Sequence, residues 1–285
     1  MEIQLLNFET NIFRLIKDSE NYIDFCPDRG GLITNWTSSG KKILYFDERR
    51  FLDKKLSIRG GIPVLFPICG NIDQRLSIFG RKYLQLPQHG FARDLIWQFQ
   101  FAKEDGSLNL FLKDSDWTRK YYPFSFEIKM NIRMQLNCLI FEVEIFNKSN
   151  ENMPVNFGLH PYFNISDFQN IKFENYPLVC LNQKSNRIQL THNYLSELPD
   201  GIDLLMYSSG SLSFVDSAFD RKITLINSYP FDLSVVWTDP PRKMICMEPW
   251  TSPRNSLVNG LRKILIPSNS SRLLKTSIIV NKIDK

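Results

Sequence analysis

The sequence predicts an all-β protein, an antiparallel sandwich or barrel, on three observations. Alanine, the best helix former, occurs only three times in 285 residues, whereas phenylalanine occurs 22 times and isoleucine is abundant; that balance favours strands. Several segments alternate apolar and polar residues with a period of two around turn signals. No helical period intervenes between them, as crossover helices of a parallel sheet would require.

The strand signals run in order along the chain. "IWQFQFAKEDGSLNLFLKD" (96–114) reads as two strands about an Asp-Gly turn. "FEIKMNIRMQLNCLIFEVEIFNK" (126–148) alternates on both sides of a short Leu-Asn break. "RKITLINSYPFDLSVVWTD" (221–239) and "RKILIPSNSSRLLKTSIIVNK" (262–282) repeat the scheme, each with a polar or proline-bearing turn. The chain shows no repeat of fixed period, no low-complexity tract and no Gly/Ser linker. The loop-rich stretch 177–211 is the best place for a boundary, but it reads better as a wrap around one domain spanning 1–285.

Bulk properties narrow the function. A chain of this length buries about three quarters of its unfolded surface, so its core needs no metal or disulfide staple. The formal charge of +5 is spread without a basic tract, which argues against nucleic acid as a partner. Cys26, Cys69, Cys138, Cys180 and Cys246 are odd in number, widely spaced and without a CxxC. They read as reduced, buried thiols of a cytoplasmic protein rather than as disulfides or a zinc site. The N-terminal segment carries an early acid and alternating polar residues, unlike a signal peptide. No apolar run approaches the ~18 residues of a membrane span, so no membrane partner is expected. The protein is expected to be a monomer or weak homodimer that uses no cofactor.

Four stretches place rare polar groups beside glycines and prolines, which fix unusual backbone geometry. In "VNFGLHPYFNIS" (155–166) an extended backbone sends Val155, Phe157 and Leu159 one way and Asn156, Gly158, His160 and Tyr162 the other. "IRGGIPVLFPICGN" carries Arg59. In "LPQHGFARD" the same alternation puts His89, Phe91 and Arg93 on one side, an imidazole, an aromatic plate and a guanidinium. "VVWTDPPRKMICMEPWTSPRN" places Met244, Cys246 and Glu248 on one face of an apolar strand and Ile245 and Met247 on the other. Each group has a structural alternative: a satisfied core histidine, a surface carboxylate, an arginine bonded to a loop carbonyl or to Asp94. Their joint occurrence in a chain with three histidines favours chemistry.

"RGGIPVLFP", "LPQHGFAR", "LHPYF" and "MICMEPW", in this order, resemble the aldose 1-epimerase (galactose mutarotase-like) family, near its hexose-6-phosphate branch. The resemblance implies one large antiparallel β-sandwich with a sugar cleft on one sheet, and an isomerase that interconverts α and β anomers of a hexose or hexose phosphate. By motif position, it implies His160 as the acid that protonates the ring oxygen and Glu248 as the base at the anomeric hydroxyl. It implies His89, Arg59 and Arg93 as substrate contacts, and a sugar-binding carboxylate for which Asp203 is the first choice, with Asp216 and Asp239 as rivals. Arg59 and Arg93, and after them Arg75, Arg81 and Arg242, are candidates for a phosphate. "LHPYF", and especially "EPW" followed by "TSPRNSL", resemble the free-sugar or unassigned epimerase-like members instead. Phe91, Tyr162 and Trp250 are candidates to stack on the sugar.

Opening a cyclic hemiacetal suits these residue types. It needs a proton delivered to the ring oxygen while another leaves the anomeric hydroxyl, and it needs no metal. An imidazole serves as the acid if a carboxylate raises its pKa, and a glutamate as the base if cations keep it ionised. A carbohydrate-binding protein without turnover is the alternative on the same fold, although a binder needs neither an acid nor a base.

Overall fold

The structure, a computed structural model, describes residues 1–73, 86–207 and 210–283. Strands dominate it, and the helices among the described residues are short, three to six residues each. The expected all-β class is therefore correct, and the arrangement is a sandwich.

One large sheet has eight strands in the order Ile171–Glu174, Ser211–Asp216, Arg221–Asn227, Ser271–Asn281, Cys138–Asn147, Phe126–Met134, Ser107–Lys113 and Gln98–Ala102. Its centre is the hairpin read from the sequence, Phe126–Met134 with Cys138–Asn147, in unbroken register from Leu139↔Met134 to Asn147↔Phe126. Alternation buries Phe126, Ile128, Met130, Ile132 and Met134 on one face. Each such side chain contributes about 1.5–3 kcal/mol by leaving water. Gln98–Ala102 and Ser107–Lys113 pair around Asp105-Gly106, also as read.

A second sheet faces the first across the core. Its order is Arg187–Leu190, Val179–Asn182, Asp203–Tyr207, Leu233–Trp237, Met244–Trp250, Gly158–Leu159 and Val64–Leu65, with Tyr162–Asn164 also paired to Met244–Trp250. A five-stranded N-terminal sheet, Glu2–Asn7 to Lys41–Lys42, and the pair Met153–Val155 with Ile264–Ile266 complete the fold. One buried apolar cluster, from Leu15 to Ile278, draws side chains from every one of these sheets.

The two later segments differ from a hairpin reading. Arg221–Asn227 lies in the first large sheet and Leu233–Trp237 in the second, and Ile264–Ile266 is likewise in a different sheet from Ser271–Asn281. Alternation marks a strand but not its partner. Pro230 and Pro267 sit in the connections and donate no N–H to a ladder. Instead Thr276 donates its hydroxyl to the Ile226 carbonyl at 3.0 Å and Ser228 N–H reaches the Lys275 carbonyl at 3.3 Å, stitching Arg221–Asn227 to Ser271–Asn281.

Candidate active site

The strand Met244–Trp250 forms the floor of the site. It is buried along its whole length because both faces are covered. Ile245 and Met247 enter the main core, while Cys246 packs with Tyr162 and Met244 on the opposite face, which Glu248 shares. The "VNFGLHPYF" row behaves as the alternation requires: Val155, Phe157 and Leu159 are in the core, and His160 and Tyr162 line a cleft. His160 sits between the strands Gly158–Leu159 and Tyr162–Asn164, its N–H bonded to the Pro63 carbonyl at 2.9 Å. Tyr162 lies directly across from Cys246 and stacks on the His160 ring at 4.6 Å.

The cleft, of about 250 Å³, brings together His160, Glu248, His89, Arg59, Arg93 and Asp203, and adds Ser57, Gln88, Trp237, Trp250 and Arg254. That is below the roughly 300–1,000 Å³ of pockets for drug-sized ligands and suits a compact one.

His89 arrives there by a route the alternation missed. His89 and Gly90 both have positive φ, 66° and 74°. A Cβ at Gly90 would stand 2.0 Å from the Phe66 carbonyl oxygen, so only glycine fits. The turn is pinned by His89 N–H to the Gly70 carbonyl at 2.8 Å and Phe91 N–H to the Phe66 carbonyl at 3.0 Å. Two left-handed residues followed by the 3-10 turn Ala92–Asp94 break the period of two. The expected one-sided row His89, Phe91, Arg93 is thus corrected: His89 and Arg93 face the cleft, but Phe91 points into the core against Phe66 and Phe126. The Gly60 turn beside Arg59 has the same origin, since a Cβ there would lie 2.5 Å from the Phe46 Cα.

At the centre, His160 Nε2 lies 3.4 Å from Glu248 Oε1. The other carboxylate oxygen accepts the Trp250 indole N–H at 3.0 Å. His160 and Glu248 are 7% and 2% exposed, so desolvation dominates their chemistry. Burial, reinforced by Arg93 and Arg59, holds His160 well below the usual imidazole range. Burial and the nearby Asp203 push Glu248 well above the usual carboxylate range, opposed by the Trp250 hydrogen bond and Arg254. The raised histidine and the ionised glutamate, which the sequence reading made conditional on neighbouring charges, are both opposed here by burial. The neutral pair and the ion pair carry the same single proton, and burial favours its place on the carboxyl.

His89 Nδ1 accepts the Gly70 N–H at 3.0 Å. Burial, then His160 and Arg93, hold it neutral, so its proton lies on Nε2 and that nitrogen is a donor. Asp203 accepts from Gln183 Nε2 at 2.7 Å and from Arg254 Nη2 at 2.8 Å. Asp216 lies in the other sheet, accepting from the Ser166 hydroxyl at 2.6 Å and from Phe219 N–H. Asp239 pairs with Arg59 at 3.3 Å and Arg242 at 2.9 Å, outside the cleft lining. Arg75 and Arg81 lie outside the described residues.

Sequence reasoning missed Trp237 and Arg254. Trp237 carries the Arg59 guanidinium over its ring at 5.3 Å and meets His160 edge-on at 5.8 Å. Its signal was its place at the end of the strand before "DPP". Arg254 falls in "TSPRNSL", a loop that "EPW" delivers to the cleft.

The aldose 1-epimerase family model matches residues 15–271. The chain belongs to the aldose 1-epimerase family. Among solved structures, the Slr1438 protein of Synechocystis is 34% identical with a TM-score of 0.91, covering 98% of this chain and 99% of that one. A galactose mutarotase-like protein of Clostridium acetobutylicum shares the fold at 17% identity and a TM-score of 0.80, covering 99% of each chain. A Salmonella typhimurium protein named "Putative glucose-6-phosphate 1-epimerase" is 24% identical over 77% of this chain and 71% of its own length. The aldose 1-epimerase motifs noted in the sequence, from Arg59 to Glu248, all fall within the matched range.

Proposed function

We propose that the protein interconverts the α and β anomers of a hexose, with His160 and Glu248 as the proton-transferring pair. The observation that carries this reading is the 3.4 Å approach of His160 Nε2 to Glu248 Oε1 on the floor of a cleft lined by further donors. The ring oxygen and the anomeric oxygen of a pyranose share one carbon, so two groups this close address both. The reacting form is the ion pair, in which the shared proton has passed to His160: the imidazolium delivers it to the ring oxygen as the bond from that oxygen to the anomeric carbon breaks, while the ionised Glu248 takes the proton of the anomeric hydroxyl. The open-chain aldehyde rotates and closes on its other face with the two roles reversed. Each positioned proton transfer is worth about 10²- to 10⁴-fold.

The remaining lining supports binding. His89 Nε2–H donates and Asp203 accepts, as sugar hydroxyls require, while Trp237 and Trp250 offer apolar faces. The main core cluster running from Leu15 to Ile278 supports reading the whole chain as one domain.

A phosphate ester is favoured as the substrate over the free sugar by the cations. Arg59, Arg93 and Arg254 all line this small cleft, and the fields of Arg59 and Arg93 reach His160. The Salmonella and Escherichia coli relatives, both named "Putative glucose-6-phosphate 1-epimerase", support the same branch.

The test follows freshly dissolved α-glucose, α-galactose and α-glucose 6-phosphate by polarimetry or exchange NMR. Catalysis of at least one is expected, strongest for the phosphate, with a loss of about 10²- to 10⁴-fold in Glu248→Gln and in His160→Asn. Binding without turnover by the wild type would establish the carbohydrate-binding alternative, and catalysis indifferent to both substitutions would refute the roles.

A further inference from the structure

Cys246 has no part in the proposed chemistry, yet its thiol belongs to the same cluster as the acid and the base. One ligand atom each from His160, Cys246 and Glu248 lies within 4.8 Å of the others, and all three residues are buried. Cys246 is flanked across the sheet by Tyr162 and Trp237, both lining the cleft. The ring nitrogen His160 Nδ1 is buried and has no hydrogen-bond partner among the described residues. The imidazole is therefore not anchored by the outer hydrogen bond that would otherwise fix one tautomer and orientation.

We propose that His160, Cys246 and Glu248 form a binding site for a thiophilic divalent cation, Zn²⁺ by preference, whose occupancy switches the anomer-interconverting centre off.

The ligand set is chemically specific. One imidazole, one thiolate and one carboxylate suit zinc, whereas magnesium and calcium favour oxygen ligands. Zinc bonds of about 2.0–2.3 Å in a tetrahedron put neighbouring ligand atoms roughly 3.3–3.8 Å apart. The 3.4 Å between His160 Nε2 and Glu248 Oε1 already matches one edge. The sulfur closes the others with a movement of about 1 Å, within the reach of side-chain rotation. His160 and Glu248 line the cleft, so a fourth ligand, water or a sugar oxygen, would come from that side.

Charge also fits. Binding of the ion releases two protons, one from the Cys246 thiol and one from the His160–Glu248 pair. What remains is a dication with one thiolate, one carboxylate and a neutral imidazole, formally uncharged in a site where burial penalises net charge. Arg59, Arg93 and Arg254 are each ion-paired, with Asp239, Asp94 and Asp203 respectively, which tempers the cationic field the ion meets. The bound ion occupies the lone pairs that acid and base need, so it inhibits. Binding itself is independent of the proposed function; only the inhibitory consequence rests on it.

The experiment separates the two. Chelator-stripped protein is titrated with Co²⁺, and a thiolate-to-cobalt charge-transfer band and tetrahedral visible bands are recorded; Zn²⁺ is then used to displace the cobalt. One equivalent and full displacement are expected. Cys246→Ser should lose the charge-transfer band and weaken zinc binding by more than the roughly 10- to 100-fold typical of lost outer-shell partners, because a direct ligand is gone. Anomer exchange in zinc-buffered solution should fall for the wild type, recover with chelator, and become insensitive to the same zinc level in Cys246→Ser while its metal-free rate is kept. Cys246→Ala provides a second variant with the same spectroscopic expectation should the serine protein fail to fold, and His160→Gln should weaken cobalt binding while any residual complex keeps the thiolate band. No thiolate band in the wild type, or equal zinc inhibition with and without the Cys246 sulfur, overturns the proposal. A band with no anomer exchange on any sugar would leave the metal site standing and sink the epimerase reading instead.

Discussion

Replacing Trp250 by phenylalanine removes the indole N–H that Glu248 Oε2 accepts at 3.0 Å while keeping an aromatic ring beside His89. A buried hydrogen bond to an ionised acceptor is worth about 1.5–3 kcal/mol. At 1.36 kcal/mol per factor of ten, that is roughly a 10- to 150-fold loss in the share of the pair present as the ionised carboxylate. The rate should fall by a similar factor with substrate affinity changed much less, because the indole N–H serves the base and not the sugar. The pH dependence gives a second readout. Activity requires one proton on the His160–Glu248 pair, so loss of activity at high pH follows Glu248, and losing a donor that favours its charged form moves that limb upward. The acidic limb, set by His160, should stay in place. Steady-state polarimetry or exchange NMR across pH in chelator-treated buffer measures both. A Trp250→Phe protein with the wild-type rate and an unmoved alkaline limb would refute the idea that this hydrogen bond governs the base.

Other outcomes follow from the same geometry. Glu248 is held above its usual range, so the unfolded chain ionises first as pH rises past about 4.5, and the native state loses stability until its own carboxyl ionises; glutamine cannot ionise. The melting temperature of Glu248→Gln relative to wild type should therefore climb with pH above that point, and a pH-independent difference would contradict the buried-carboxyl account. Arg59→Ala and Arg93→Ala should raise KM for glucose 6-phosphate more than for glucose, whereas equal effects would remove the phosphate role. Gly90→Ala puts a Cβ 2.0 Å from the Phe66 carbonyl at positive φ, costing about 1–3 kcal/mol in strain. It should lower thermal stability and displace His89, with activity falling alongside; an unchanged melting temperature would contradict the close approach.

Much of the site was legible because it rides on two strands whose period of two survives folding. His160 and Glu248 could be assigned to the cleft face from Phe157, Leu159, Ile245 and Met247 alone, since those apolar neighbours had to face the core. His89 and Arg93 face the cleft as the alternation had it, but the alternation itself failed at Phe91: positive φ at two residues is a tertiary outcome of the close approach to Phe66, and alternation cannot foresee it. Pairing was less legible than strand existence, as the sheet-crossing segments around Pro230 and Pro267 show. The carboxylate choice fell the same way. Asp203 and Asp216 both lie in strands, but only the first strand belongs to the sheet that carries the cleft. Arg254 went unread because an isolated cation in a loop has no period to betray it, whereas Trp237 follows the period of two with Val235 on the strand Leu233–Trp237 and was simply not singled out.

The floor strand Met244–Trp250 has one consequence beyond catalysis. Glu248, the proposed base, shares a backbone with Ile245 and Met247, so remodelling beneath it would jar the cleft face along with the interior. Retooling this scaffold for a different sugar should therefore proceed at the rim, through Ser57, Arg59, Gln88 and Arg254, whose replacement leaves the keel of the molecule undisturbed.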